Sequence, residues 1–347
     1  MIVEGRAKII AEGVFYNPRM KFCRDADMEI FRHLDSKSYL DALSASGIRG
    51  IRAHLEAGFD RVEFNDISSS AVKVIERNLS LNGIEAVVHN RDAASLMRER
   101  SYEHVDLDPF GSPSEFIDSA CRSAKRYLSI TATDTSALCG SASISGLRKY
   151  SAFAEKTEYY HEVGLRMLIG KAVREITKYD RYAEVLISWA REHYYRVHLK
   201  TGKSSRKAGK MYEKIGYILH CRKCRNRMTI SVFDTPERAC VCGNEFRMYG
   251  PLWLGELHRR DFVERLNKEG DTGKLFSAIE NEIETITHYD IHEITKILQI
   301  SPPGLDAVIE RLRDEGYRAS RTRFGGTSFK SDADIQTVKE IISRIPR

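Results

Sequence analysis

Between residues 38 and 187, short apolar runs alternate with stretches whose apolar positions recur at helical spacing. The runs at 39–43, 61–65, 86–89, 104–107, 128–132 and 183–187 predict strands. Residues 50–57, 69–82 and 114–125 predict helices, the second capped by Ser68 or Ser69. Strands alternating regularly with helices predict an α/β fold, a mostly parallel sheet covered on both faces.

The pattern changes after residue 200. Residues 200–214 are polar and basic, which predicts a linker or a nucleic-acid-facing loop that ends the main domain. Farther on, Ile291, Ile294, Ile297 and Leu298 share one helical face, and Ser301-Pro302-Pro303 interrupts the chain. Leu305, Val308, Ile309 and Leu312 form a second face, ended by Gly316. Residues 317–323 and 327–329 flank Gly325-Gly326 as a hairpin, and 335–345 close with a helix. Helix, helix, hairpin and helix is the order of a winged-helix-like α+β module, whose use the pattern leaves open. The expected organisation is therefore a main domain over 1–198, a middle segment over 199–255 and a C-terminal domain over 256–347.

Composition sharpens this. No apolar stretch approaches the roughly 20 residues that cross a bilayer, and the start MIVEGRAKII has no signal-peptide run. A soluble, cytoplasmic protein is expected, with no membrane and no evident protein partner. The net charge of +6 is modest, but from Arg196 onward Lys200, Lys203, Arg206, Lys207, Lys210, Lys214, Arg222, Lys223, Arg225 and Arg227 follow one another with Glu213 as the only intervening acid. Such a run is either a solvated loop or a contact for a polyanion's phosphates. Three of the seven cysteines are scattered, whereas Cys221, Cys224, Cys240 and Cys242 form two tight pairs. In an intracellular chain that spacing predicts a structural Zn2+ site, because four thiolates leave no open position for catalysis.

Candidate chemistry lies at the strand ends. The first strand runs into Ser44-Ala45-Ser46-Gly47, small residues that let a ligand approach the backbone at a helix start. The second ends at Asp66, placed to accept hydrogen bonds from ribose hydroxyls, and the third is followed by Asp92 and Ala93, where an adenine amino group could be met. The fourth ends in Asp108-Pro109-Phe110. An exocyclic amino nitrogen on a base is a poor nucleophile, since its lone pair is delocalised into the ring. Asp108 can accept from that amino group, and Phe110 can stack on the base.

Several longer strings resemble the tRNA (guanine-26-N2) dimethyltransferases, which are class I S-adenosylmethionine-dependent enzymes. They are residues 15–20 (FYNPRM), 41–52 (DALSASGIRGIR), 65–68 (NDIS), 106–113 (DLDPFGSP), 131–134 (TATD), 138–140 (LCG) and 249–253 (YGPLW). The resemblance covers nearly the whole chain and departs from the family pattern at Cys23. It implies a Rossmann-like class I methyltransferase sheet carrying a four-cysteine zinc insertion and a winged-helix-like tail. It also implies S-adenosyl-L-methionine as methyl donor and tRNA as partner, with N2 of guanine 26 dimethylated. By the same resemblance, Arg24 and Arg49 would contact the methionine end of the donor, Asp66 its ribose, and Asp92 with Ala93 its adenine. Phe15, Asp108 and Phe110 would hold the guanine.

Two other readings stand beside this one. A nicotinamide-dependent oxidoreductase would need a three-glycine fingerprint, and the turn offers only Gly47. A non-catalytic RNA-binding protein would have no use for acids at successive strand ends. Cys139 has no evident base partner and reads as a buried structural cysteine.

Overall fold

The computed structural model describes residues 1–345. The chain opens with a hairpin, β1 (Ile2–Glu4) and β2 (Ala7–Ile9), followed by α1 (Lys21–Arg32). The repeating units then begin: β3 (Ser38–Asp41), α2 (Ile48–Ala57), β4 (Arg61–Asn65), α3 (Ser69–Leu81), β5 (Val87–His89), α4 (Ala93–Glu99), β6 (Tyr102–Leu107), α5 (Ile117–Ser123) and β7 (Ala124–Ala132). Ser68 caps α3 by accepting from the Ala71 N–H. The helix expected over 114–125 is shorter, because β7 begins at Ala124.

Short helices α6 (Thr135–Leu138) and α7 (Ser143–Tyr150) lead to α8 (Tyr160–Thr177), which the apolar pattern did not reveal. Most of α8 is buried, so it has no polar face to create a period. It lies between the central sheet and a second sheet, and a Cβ on Gly170 would sit 3.0 Å from the Trp253 backbone nitrogen. Strands β8 (Arg181–Arg191) and β9 (Tyr194–Lys203) complete a seven-stranded sheet of order β5-β4-β3-β6-β7-β9-β8. Strands β3 to β7 are parallel, and β9 runs antiparallel to both its neighbours. Large apolar clusters cover the two faces, one around α8 and α5, the other around α1 and α2.

The loop expected over 200–214 is instead the end of β9, a short helix α9 (Ser205–Met211) and a turn. Ala208 and Met211 are buried against the core, so the segment is built into the main domain and the 198/199 boundary cuts a sheet strand. Strands β10 (Ile215–His220), β11 (Arg227–Ser231) and β12 (Arg247–Trp253) form the cysteine-bearing sheet, which packs on α8. Helices α10 (Arg260–Val263) and α11 (Gly270–Glu280) also belong to the main body, since Phe262, Val263, Leu266, Phe276 and Ile279 join the α1 cluster. A separate C-terminal core therefore starts at Tyr289 and not at 256.

That last module has β13 (Tyr289–Asp290), α12 (Ile291–Leu298), α13 (Leu305–Asp314), β14 (Ala319–Arg321), β15 (Ser328–Ser331) and α14 (Ile335–Arg344). Its sheet order is β13-β15-β14, the expected hairpin with one added strand. A buried charge chain fastens it to α8: Glu162 accepts from Arg166 at 2.7 Å and the Thr287 N–H at 2.8 Å, and lies 3.1 Å from Lys330. Among the described residues, no helix is long and apolar enough to cross a membrane.

Candidate active site

The parallel strands β3, β4 and β6 end at one rim of the sheet, and a cavity of about 390 Å³ opens there. Phe15, Arg24, Arg49, Asp66, Asp108 and Phe110 all line it, joined by Asp41, Thr133 and the turn at Ser44 to Ser46. Asp92 and Ala93 do not. Asp92 caps α4 by accepting from the Ser95 N–H at 2.8 Å, and Ala93 is buried behind it.

The turn after β3 takes its shape from two left-handed residues, Ala45 (φ 49°) and Gly47 (φ 76°). Asp66 stabilises that turn by accepting from the Ala45 N–H at 2.9 Å, while its other oxygen accepts from the Ser68 N–H at 2.9 Å. Each carboxylate oxygen keeps a lone pair for a further donor. Asp66 is thus held at the cavity wall and can receive two hydroxyls.

Across the cavity mouth, Asp108 is fixed by Arg49, whose Nη2 donates to Oδ2 at 2.5 Å. Arg49 is itself 3% exposed and also paired to buried Asp27. Asp27 and Asp106 share Arg196, at 3.0 and 2.7 Å, and Tyr39 donates to Asp106 at 2.8 Å. Burial alone would raise Asp106, but the charge and hydrogen bonds of Arg196 hold it well below the usual carboxylate range. The loop after Asp108 is pinned too. Gly111 and Thr133 exchange hydrogen bonds at 2.8 and 2.9 Å, and the Tyr150 hydroxyl lies 3.0 Å from Ser112 Oγ and donates to Asp134 at 2.6 Å.

Phe15 and Phe110 stand at the mouth, edge to face with centroids 5.6 Å apart. Phe110 is 87% exposed, an unusual state for so large an apolar side chain on a fixed loop. Phe15 is carried by a segment anchored through Glu4, which accepts from Arg24 at 2.7 and 2.6 Å and from Arg52 at 2.8 Å. Burial pushes the Glu4 carboxyl up, but Arg24, Tyr16 and Arg52 together hold it at about 2.

Asp41, at the end of β3, is the outlier. Burial, and then the charges of Asp106 and Asp108, push its carboxyl up to about 8, against the Gly50 N–H that donates to it at 3.1 Å. In the sequence Asp41 stands out only as the first residue of the 41–52 string. Asp27 and Glu4 give no signal of their own and Arg196 reads only as the head of the basic run, because their partners are distant in sequence. Cys139 is buried with its sulfur 3.2 Å from Ser141 Oγ.

The four paired cysteines meet at the tip of the second sheet, with all four sulfurs within 4.8 Å of one another. The Cys221–Cys242 and Cys224–Cys240 sulfur separations are 3.5 Å, close to the roughly 3.8 Å spanned by two thiolates on a tetrahedral zinc. Two tight knuckles present them: Arg225 N–H donates to the Cys221 carbonyl at 2.9 Å, and Gly243 N–H to that of Cys240 at 2.8 Å. Asn226 and Asn244 aim amide donors at Cys240 and Cys242. The donor set and its spacing fit a zinc ion.

Comparison with known proteins agrees with this geometry. A family model described as N2,N2-dimethylguanosine tRNA methyltransferase matches residues 1–343. The chain is 56% identical over 344 residues to a tRNA (guanine(26)-N(2))-dimethyltransferase of Archaeoglobus fulgidus, covering 98% of each. A protein of the same name from Methanoculleus marisnigri is 40% identical, over 95% of this chain and 91% of that one. Among solved structures, Trm1 from Pyrococcus horikoshii in complex with S-adenosyl-L-methionine superimposes with a TM-score of 0.92 at 36% identity, over 98% and 99% of the two chains. This chain belongs to the N2,N2-dimethylguanosine tRNA methyltransferase family.

Proposed function

We infer that the chain transfers two methyl groups in succession to the exocyclic N2 of guanine 26 in tRNA, using S-adenosyl-L-methionine and giving N2,N2-dimethylguanosine. The observation that carries this reading is the meeting, in one cavity, of Asp108, an acceptor held by Arg49, with the Phe15–Phe110 pair and Asp66. The donor supplies a methyl carbon bound to a positively charged sulfur. Asp66 would take its ribose hydroxyls, Arg24 and Arg49 would face its methionine end, and Asp92 with Ala93 would flank the adenine beyond the end of β5.

The guanine must leave its stack to enter, at a cost of a few kcal/mol that aromatic contact with Phe15 and Phe110 offsets. Asp108 accepts an N–H of the amino group and turns its lone pair toward the methyl carbon. The new N–C bond forms as the C–S bond breaks, and the amino proton passes to Asp108 and on to solvent. Arg49 then acts as a positioning residue, since it holds Asp108 from a buried site. Rotation of the monomethylated nitrogen presents the second hydrogen to the same carboxylate.

The four cysteines would hold a structural zinc, away from the reacting atoms. Native mass spectrometry should find one zinc per chain, and Cys221→Ser should lose it. Metal binding contributes on the order of 10 kcal/mol to folding in small zinc modules, so that variant's ribbon should unfold well below the main domain. Full binding of S-adenosyl-L-methionine should persist. A metal-free chain of unchanged thermal stability would contradict the zinc assignment.

A further inference from the structure

Ion pairing divides the basic run into two populations. Arg222 pairs with Glu155, Arg225 with Glu293 at 2.8 Å, and Arg227 with Glu158 at 3.1 Å. Those cations are occupied in holding the cysteine-bearing sheet to its neighbours. Lys203, Arg206, Lys207, Lys210 and Lys214 are all exposed, and among the described residues none has an ion-pair partner. Helix α9 anchors itself by Ala208 and Met211 and turns the cations outward.

Beside them lies a cleft of about 350 Å³, separate from the catalytic cavity. Tyr182 and Trp253 line it, with Lys207 Nζ 4.4 Å from the Tyr182 ring centre and Lys214 Nζ 5.9 Å from that of Trp253. Glu184 on its wall is neutralised by Arg259 at 3.3 Å, which leaves Glu256 and nearby Glu213 as the acids against the lysines. Strand register fixes where this surface is. Lys200 pairs with Tyr127 and Tyr195 with Ala132, so α9 sits at the sheet end opposite the catalytic cavity. The eight-residue step from Tyr195 to Lys203 alone spans about 25 Å at strand rise.

We propose that α9 and this cleft form a second RNA-binding surface, which grips the sugar–phosphate backbone of the folded tRNA far from the base being methylated. The proposal rests on the tRNA methyltransferase reading above. Unpaired lysines release counterions when they meet phosphates, and among the described residues no carboxylate lies within ion-pair distance of them. Tyr182 and the buried Trp253 steady Lys207 and Lys214 at the cleft by contact with their ammonium groups. A second copy of this chain meeting the same surface by two-fold symmetry would bring like charges together, which disfavours a dimer there. Phosphate contacts position without reading sequence. A contact this remote therefore tests the shape of the RNA: only a molecule that reaches both ends of the sheet gains from it.

The test is the triple variant Lys207→Ala, Lys210→Ala and Lys214→Ala in the full chain, with thermal stability and S-adenosyl-L-methionine affinity checked against wild type. With intact tRNA, the salt slope of binding should fall by about two to three, with KM raised roughly tenfold or more and kcat within about twofold. Hydroxyl-radical footprinting should show wild-type protection of tRNA backbone remote from the methylated guanine, lost in the variant. Unchanged slope and KM would overturn the proposal, as would lost protection confined to nucleotides beside the guanine. Failure of the methyltransferase reading would appear separately, as absence of transfer by the wild-type chain.

Discussion

The two ends of the central sheet treat charge in opposite ways. At the catalytic end, Asp27, Asp106 and Asp108 are locked by buried Arg49 and Arg196, and Glu4 by Arg24 and Arg52. At the other end, among the described residues, the α9 cations have no ion-pair partner and are exposed. On the proposed mechanism, chemistry at one nitrogen needs an acceptor fixed to within a fraction of an ångström, and Arg49, itself held by Asp27, limits the motion of Asp108. Attraction of a polyanion needs only charge within reach, and flexible exposed lysines supply it. The same residue types thus serve geometry at one rim and field strength at the other.

Variants at the catalytic rim should therefore change chemistry and leave the salt dependence of tRNA binding alone. The largest effect is expected for Asp108→Ala, roughly a hundredfold to ten-thousandfold in kcat with little change in donor affinity. Asp108→Asn should also be severe, since an amide cannot take the proton. Single-turnover transfer measures both, and near-wild-type rates would remove Asp108 from the reaction.

A smaller effect is expected at Asp66→Ala. Charged hydrogen bonds to two ribose hydroxyls contribute about 1.5 to 3 kcal/mol, so the donor dissociation constant should rise roughly tenfold or more. Calorimetric titration reads this directly, and an unchanged constant would exclude Asp66 from the donor site.

The last effect falls on stability, not on activity, and concerns pH. The native Asp41 carboxyl titrates at about 8, against 3.8 as its ordinary value. Between those values the native state keeps a proton that the unfolded chain has released, so stability falls as pH rises through this window. Asp41→Asn removes that dependence. Thermal unfolding of wild type should decline relative to the variant from about pH 4 to about pH 8 and run parallel above it. Parallel curves throughout would show Asp41 to be ionised in the native state.

How much of this was legible in the sequence follows from where partners lie. Strands β3, β4 and β6 read clearly, because buried parallel strands are apolar runs, here ending in the acids that face the cavity. Asp66, Asp108 and Phe110 were accessible for that reason. The end of β9 reads as loop, since Lys200, Thr201, Gly202 and Lys203 carry no large apolar side chain. Arg196 is fully buried there only because Asp27 and Asp106 neutralise it from 169 and 90 residues away. Helix α8 hid for the opposite reason, being buried on nearly every side. The basic run was visible, but which of its cations were free depended on acids such as Glu155, Glu158 and Glu293, brought in by folding.

The central claim is tested most directly by product analysis. The purified chain is incubated with unmodified tRNA and S-adenosyl-L-methionine, and the RNA is digested and its nucleosides identified by mass spectrometry, with fragment mapping to locate the modification. The account predicts N2-methylguanosine first and N2,N2-dimethylguanosine later, both at position 26. Methylation of a pyrimidine, of another guanine with position 26 left bare, or of nothing at all would contradict it.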